Sequence, residues 1–97
     1  MSNNLNEIIL FTTEGCEGCK IAEKLIDKAI EQSNIEISFE VHPIENSIFG
    51  NLAKLYLIDD FPTAIFNKRG KVVGKIVGTT TVDEIVKTIN DCFKSYL

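Results

Sequence analysis

Three hydrophobic rhythms follow one another in the first half of the chain, and their order restricts the fold more than any other feature. Ile8-Ile9-Leu10-Phe11 is a continuous apolar run, the pattern of a strand buried on both faces. From Cys19 to Ile30 the apolar residues return in pairs at helical spacing, Ile21/Ala22, Leu25/Ile26 and Ala29/Ile30. Lys20, Glu23, Lys24, Asp27, Lys28 and Glu31 occupy the other face. Ile35, Ile37, Phe39 and Val41 then alternate with Glu36, Ser38, Glu40 and His42, the period of a strand with one face buried and a polar face outward. Strand, helix and strand in this order form a βαβ unit, whose right-handed crossover makes the two strands parallel.

The second half supplies four more elements. Ile48, Phe49, Leu52, Ala53, Leu55 and Tyr56 repeat at helical spacing after Asn46, a residue suited to cap a helix, although Gly50 inside it costs about 1 kcal/mol in propensity. Phe61-Pro62 leads into the strand Thr63–Phe66, and Asn67-Lys68-Arg69-Gly70 turns it back into Lys71–Val77 as a hairpin. Thr81 and Glu84 have the spacing of a capping box, and Val82, Ile85, Val86, Ile89, Phe93 and Tyr96 form the apolar face of a last helix. The expected architecture is α/β, in the order β-α-β-α-β-β-α, with a four-stranded mixed sheet flanked by three helices. At 97 residues one domain spanning 1–97 is expected.

Composition removes several function classes. The net charge is −4 and the basic residues are dispersed, so nucleic acid is not expected as a partner. Charged residues interrupt every apolar segment well before the ~20 residues a bilayer requires, so no membrane span is expected. Met1–Glu7 lacks the pattern of a secretory signal, which makes the cytoplasm the default compartment. A monomer is the expected state. Three cysteines are too few for a disulfide scaffold and leave one unpaired in any case.

Spacing makes two of those cysteines informative. Cys16-Glu17-Gly18-Cys19 lies where the first strand passes into the first helix, and one helical turn brings two Cα atoms to about the ~5.5 Å that a disulfide prefers. At the helix N-terminus unsatisfied N–H groups and the positive end of the dipole favour thiolate over thiol, which makes Cys16 the expected nucleophile. Cys19, one turn further in, is placed to resolve a mixed disulfide formed on Cys16. Lys20 would assist the Cys16 thiolate, and Glu14 and Glu17 would oppose it. Two other readings stand beside this one: cysteines that only pack, and a metal carrier. Zinc normally takes four ligands, and no second cysteine pair or Cys/His pair at short spacing is present, so no resident metal or other cofactor is expected. His42 reads as a solvent-facing histidine before Pro43, with a third metal ligand or a proton carrier as the alternative. Cys92 falls seven residues after Ile85, on the same side of the last helix, and reads as a buried, unreactive thiol.

The cysteine pair, Phe61-Pro62-Thr63 some forty residues later and the hairpin that ends in Val77-Gly78 together resemble the thioredoxin superfamily, from Ile8 to Tyr96. The resemblance implies a thioredoxin-like fold, a cis bond before Pro62 facing the cysteines, and a substrate groove bordered by Phe61, Pro62, Thr63 and Gly78. It also implies dithiol–disulfide exchange on protein disulfides, with a reductase or another dithiol as electron donor. The alternative is a fold that presents the same groove as a binding module, or carries a metal, without turnover. Four departures distinguish this chain within the superfamily. Gly15 stands where thioredoxins place Trp, Glu17-Gly18 where they place Gly-Pro, and Leu10 where they place a buried Asp. Gly78-Thr79-Thr80-Thr81 stands where the glutathione site of glutaredoxins has Gly-Gly-x-x-Asp, although the element order is that of a glutaredoxin.

Overall fold

A computed structural model describes residues 5–94; Met1 to Asn4 and Tyr96 lie outside the described residues. Seven elements follow in the expected order: β1 (Asn6–Thr12), α1 (Glu17–Ser33), β2 (Ser38–Pro43), α2 (Ser47–Leu55), β3 (Thr63–Lys68), β4 (Lys71–Val77) and α3 (Val82–Phe93). The strands form one mixed sheet in the order β2-β1-β3-β4, with β1 parallel to β2 and antiparallel to β3, and β3 antiparallel to β4. The thioredoxin-like α/β architecture is therefore present.

Because side chains alternate along β1, its apolar run supplies both faces of the sheet. Ile8 and Leu10 join Ala22, Ile26, Ala29, Ala64, Phe66, Ile85, Ile89 and Phe93 in a core beneath α1 and α3. Ile9 and Phe11 point the other way and join Ala53, Ile58 and Ile65 in a smaller core beneath α2. A run of four consecutive buried residues is thus what a central strand between two layers requires.

Element ends depart from the periodicity where capping and pairing decide them. Helix α1 starts at Glu17 with Cys16 as its N-cap, as expected of a cysteine at the helix N-terminus, and Asn34 closes it in the left-handed region (φ 57°). Strand β2 starts at Ser38, the partner of Glu7. Ile35 and Ile37 pack against the larger core ahead of the ladder, so their alternation records burial, not strand pairing. Asn67 and Lys68 belong to β3, not to the turn, which consists of Arg69 and Gly70 with φ 54° and 82°. Two left-handed residues give a hairpin the twist its strands need. Asn67 is buried, and its amide donates to Glu7 Oε1 across the strand pair at 3.3 Å.

The N-cap residues match the sequence reading, but of the expected capping box only the Thr81 half forms. Asn46 Oδ1 accepts from Ile48 N and Phe49 N, and Thr81 Oγ1 accepts from Glu84 N at 3.1 Å. Gly50 has a packing reason: a Cβ there would lie 2.7 Å from the Ile44 carbonyl oxygen, so α2 comes this close to the preceding turn only with glycine. Among the described residues, no helix is long and apolar enough to cross a membrane.

Candidate active site

The site is assembled where β1 ends and α1 begins. Thr12 closes the strand, Gly15 turns the chain with φ +73°, and Cys16 takes an extended conformation as the N-cap of α1. Cys16 Sγ accepts a hydrogen bond from Cys19 N at 3.0 Å, the bond an oxygen-bearing side chain makes at an ordinary N-cap. The helix N-terminus therefore directs an N–H group at the sulfur, an arrangement that favours negative charge there.

Cys16 and Cys19 are joined as a disulfide, with their Cα atoms 5.3 Å apart. They differ in access. Cys16 is half-buried, whereas Cys19 is 4 % exposed. Of the two sulfur-bearing residues, Cys16 is thus the one open to solvent. Both cysteines line a groove of about 370 Å³ together with Thr12, Thr13, Lys20, Glu23 and Val41. Leu10, 1 % exposed, pairs with Val41 on one side and Ala64 on the other, so the strand beneath the site contributes aliphatic surface.

The loop before β3 supplies a wall. The Phe61–Pro62 bond is cis, and the Pro62 ring comes within 3.6 Å of where a Cβ on Gly18 would sit, with Thr79 Cγ2 at 3.8 Å. Gly18 is the residue before Cys19, so the proline loop stands against the cysteine pair itself. Gly78 N donates to the Pro62 carbonyl at 2.8 Å and joins the end of β4 to this loop. Phe61 is half-buried against the smaller core and lines a second groove of about 420 Å³ with Ile44, Gly50, Ala53 and Ile58. Thr63 is 1 % exposed and its hydroxyl donates to the Asp60 carbonyl at 2.6 Å, so its side chain holds the loop from inside. Of the residues proposed from the sequence, Cys16, Cys19, Pro62 and Gly78 come together; Phe61 lies at the margin, and Thr63 turns its side chain inward.

His42 corrects the sequence reading. It is 6 % exposed rather than solvent-facing, because α2 crosses the polar face of β2. Its ring stacks on Phe49 (centroids 3.9 Å apart), meets the edge of Phe11, and places Nε2 2.8 Å from Glu40 Oε1. It pairs with Phe11 on the α2 side of the sheet, whereas Cys19 lies on α1, across the sheet. It is therefore neither a ligand nor a proton carrier for the cysteines. No three His, Cys, Asp or Glu side chains that could hold a metal ion gather among the described residues.

Cys92 is half-buried beside the larger core and its thiol donates to the Val73 carbonyl at 3.5 Å, where a bulge shifts the β3–β4 register. Burial first, and the Asp91 carboxylate second, push this thiol up and keep it protonated. The sequence reading missed Glu45. Its carboxylate accepts from the Thr13 hydroxyl at 2.9 Å and from Glu14 N at 3.0 Å. No local pattern marks such a contact across 31 residues.

Comparison with known proteins agrees with this geometry. No curated protein sequence matches the chain. Solved structures do. A single-residue mutant of a thioredoxin from Halobacterium salinarum NRC-1 superposes with a TM-score of 0.84 at 19 % identity, covering 99 % of this chain and 81 % of that one. Mitochondrial thioredoxin 3 from Saccharomyces cerevisiae, in its oxidised form, gives 0.77 at 26 % identity, with 92 % and 80 % covered. Thioredoxin-2 of the malaria parasite, a component of its protein secretion machinery, gives 0.81 at 15 % identity, with 94 % and 86 % covered. A thioredoxin-like fold with a cysteine pair at disulfide distance supports oxidoreductase activity. The thioredoxin-like domain model matches residues 1–93, and the chain belongs to that family.

Proposed function

We propose that the protein is a dithiol–disulfide oxidoreductase acting on protein disulfides through Cys16 and Cys19. The observation that carries this reading is the asymmetry of the pair: a half-exposed sulfur capping a helix, a buried partner one turn in, and Pro62 against Gly18 between them.

In the reduced protein the Cys16 thiolate attacks one sulfur of the substrate disulfide. A Cys16–substrate bond forms, the substrate S–S bond breaks, and the released sulfur leaves as a thiolate and takes up a proton. The Cys19 thiol then loses its proton, and its sulfur attacks Cys16. The Cys16–Cys19 bond forms, the mixed disulfide breaks, and the second substrate sulfur leaves with its electron pair. Two electrons pass to the substrate and the protein ends oxidised. A dithiol donor or a reductase returns those electrons in the next cycle. The half-exposed Phe61 and the backbone around Pro62 and Gly78 form the edge along which the substrate chain lies.

Mixing the reduced protein with one equivalent of insulin tests this. The expected result is loss of one insulin disulfide per Cys16–Cys19 disulfide formed. Intact insulin beside a fully reduced protein contradicts the proposal.

A further inference from the structure

The loop that carries the chain from β1 to the nucleophile has little apolar packing to hold it: Thr13 is half-buried, and Glu14 and Gly15 are exposed. It is held by polar contacts instead. Ile44 N donates to the Thr12 carbonyl at 3.0 Å. Glu45 Oε2 accepts from the Thr13 hydroxyl at 2.9 Å and from Glu14 N at 3.0 Å. Gly15 then turns the chain in the left-handed region, and Cys16 closes the sequence with its bond from Cys19 N. The anchor is itself fixed, since Asn46 N donates to the Pro43 carbonyl at 3.1 Å and Asn46 Oδ1 caps α2. A single carboxylate from the β2–α2 turn thus secures two consecutive residues immediately before the Gly15–Cys16 step.

We infer that Glu45 is a positioning residue for Cys16, holding the preceding loop so that the sulfur stays on the N-cap of α1. The inference deepens the exchange reading, resting on Cys16 as the attacking sulfur. Its chemistry is indirect. Once the loop loosens, Cys16 spends less time accepting from Cys19 N, its thiolate loses that stabilisation, and its reactivity falls. An acceptor oxygen at glutamate's reach is what the loop requires.

The test uses the reduced, full-length protein and reads the rate of Cys16 alkylation by iodoacetamide, insulin reduction and the urea midpoint. Glu45→Ala is expected to slow both Cys16 reactions about three- to tenfold, with only a small fall in the urea midpoint from the two lost hydrogen bonds. Glu45→Gln keeps an acceptor oxygen at the same reach and restores most of the rate. Glu45→Asp, one methylene shorter, behaves like the alanine variant. Thr13→Val removes one donor only and falls between. The inference is overturned if the glutamine variant is as slow as the alanine variant, if all variants alkylate at the parent rate, or if the rate falls only in step with the urea midpoint. Should the parent protein leave insulin intact while alkylation follows the predicted order, positioning by Glu45 stands and the protein-disulfide reading fails.

Discussion

The two faces of the sheet are built unequally. Beneath α1 and α3 lies a continuous apolar core with Phe66, Phe93, Ile26, Ile85 and Ile89 at its centre, and the apolar residues at its margin fill the gaps. The face beneath α2 has five buried core residues. It also buries His42 and Asn67, whose Nδ1 and Oδ1 atoms have no hydrogen-bond partner, and its helix leaves Ile48 and Leu55 on the surface. The cysteines hang from the well-packed face. The Phe61 end of the neighbouring loop rests on the thin one. The difference teaches that the cysteine pair is placed by the more fully packed layer, whereas Phe61, which the proposed function puts at the substrate edge, rests on the thinner one.

The largest effect expected is on chemistry at the well-packed face. Cys16→Ser should reduce insulin-disulfide exchange to the uncatalysed background while the urea midpoint of the reduced protein stays unchanged. Cys16 is a cap at the helix end and not a core residue, and serine caps at least as well. Core truncation comes next and reads the comparison directly. Phe66→Ala should cost about 3–5 kcal/mol by urea unfolding at constant slope, whereas Ile58→Ala, beneath α2, should cost about 2 kcal/mol. Equal losses at the two sites would remove the distinction between the faces.

A smaller effect is expected at His42. Exchanging a buried ring with an unpartnered nitrogen for an apolar ring of similar shape removes a desolvation cost and one hydrogen bond to the exposed Glu40 together. His42→Phe should therefore change stability by no more than about 1 kcal/mol. Because the sheet separates His42 from Cys19, exchange should proceed at the parent rate, and a slowed exchange in a stable variant would restore His42 to the chemistry.

The smallest effect is read by acid titration of Glu45. The Glu14 N–H, its own backbone N–H and the Thr13 hydroxyl, in decreasing order, hold this carboxyl below the usual carboxylate range. A folded pKa below the unfolded one means that the stabilisation is fully present above the unfolded value of about 4.3 and disappears as the pH falls through the lower folded value. Carbon NMR of the Glu45 carboxyl should show a midpoint below about 4.3. A midpoint at or above it would mean that the loop contact is absent in solution.

Much of this was legible in the sequence where a local rule decides the outcome. A CxxC between an apolar run and an amphipathic stretch can hardly lie elsewhere than at a strand-to-helix junction. Asn46 and Thr81 cap their helices because short acceptor side chains meet free N–H groups wherever a helix starts. The failures share a different cause. The polar alternation Glu36, Ser38, Glu40, His42 predicts a wet face, and His42 is dry because a helix from further along the chain crosses it. Asn67 has the chemistry of a turn residue, and only its partner Glu7 on β1 makes it part of a strand. Glu45 is the extreme case, a charged residue in an exposed turn whose role depends entirely on which loop the fold brings beside it.

The claim that Cys16 attacks and Cys19 resolves is tested most directly by the reduced Cys19→Ser variant mixed with a protein disulfide and separated without reductant. A stable covalent adduct is expected, cleaved by dithiothreitol and mapped by peptide mass to Cys16, with Cys92 free. An adduct through Cys92, or no adduct while Cys16→Ser forms one through Cys19, would contradict it.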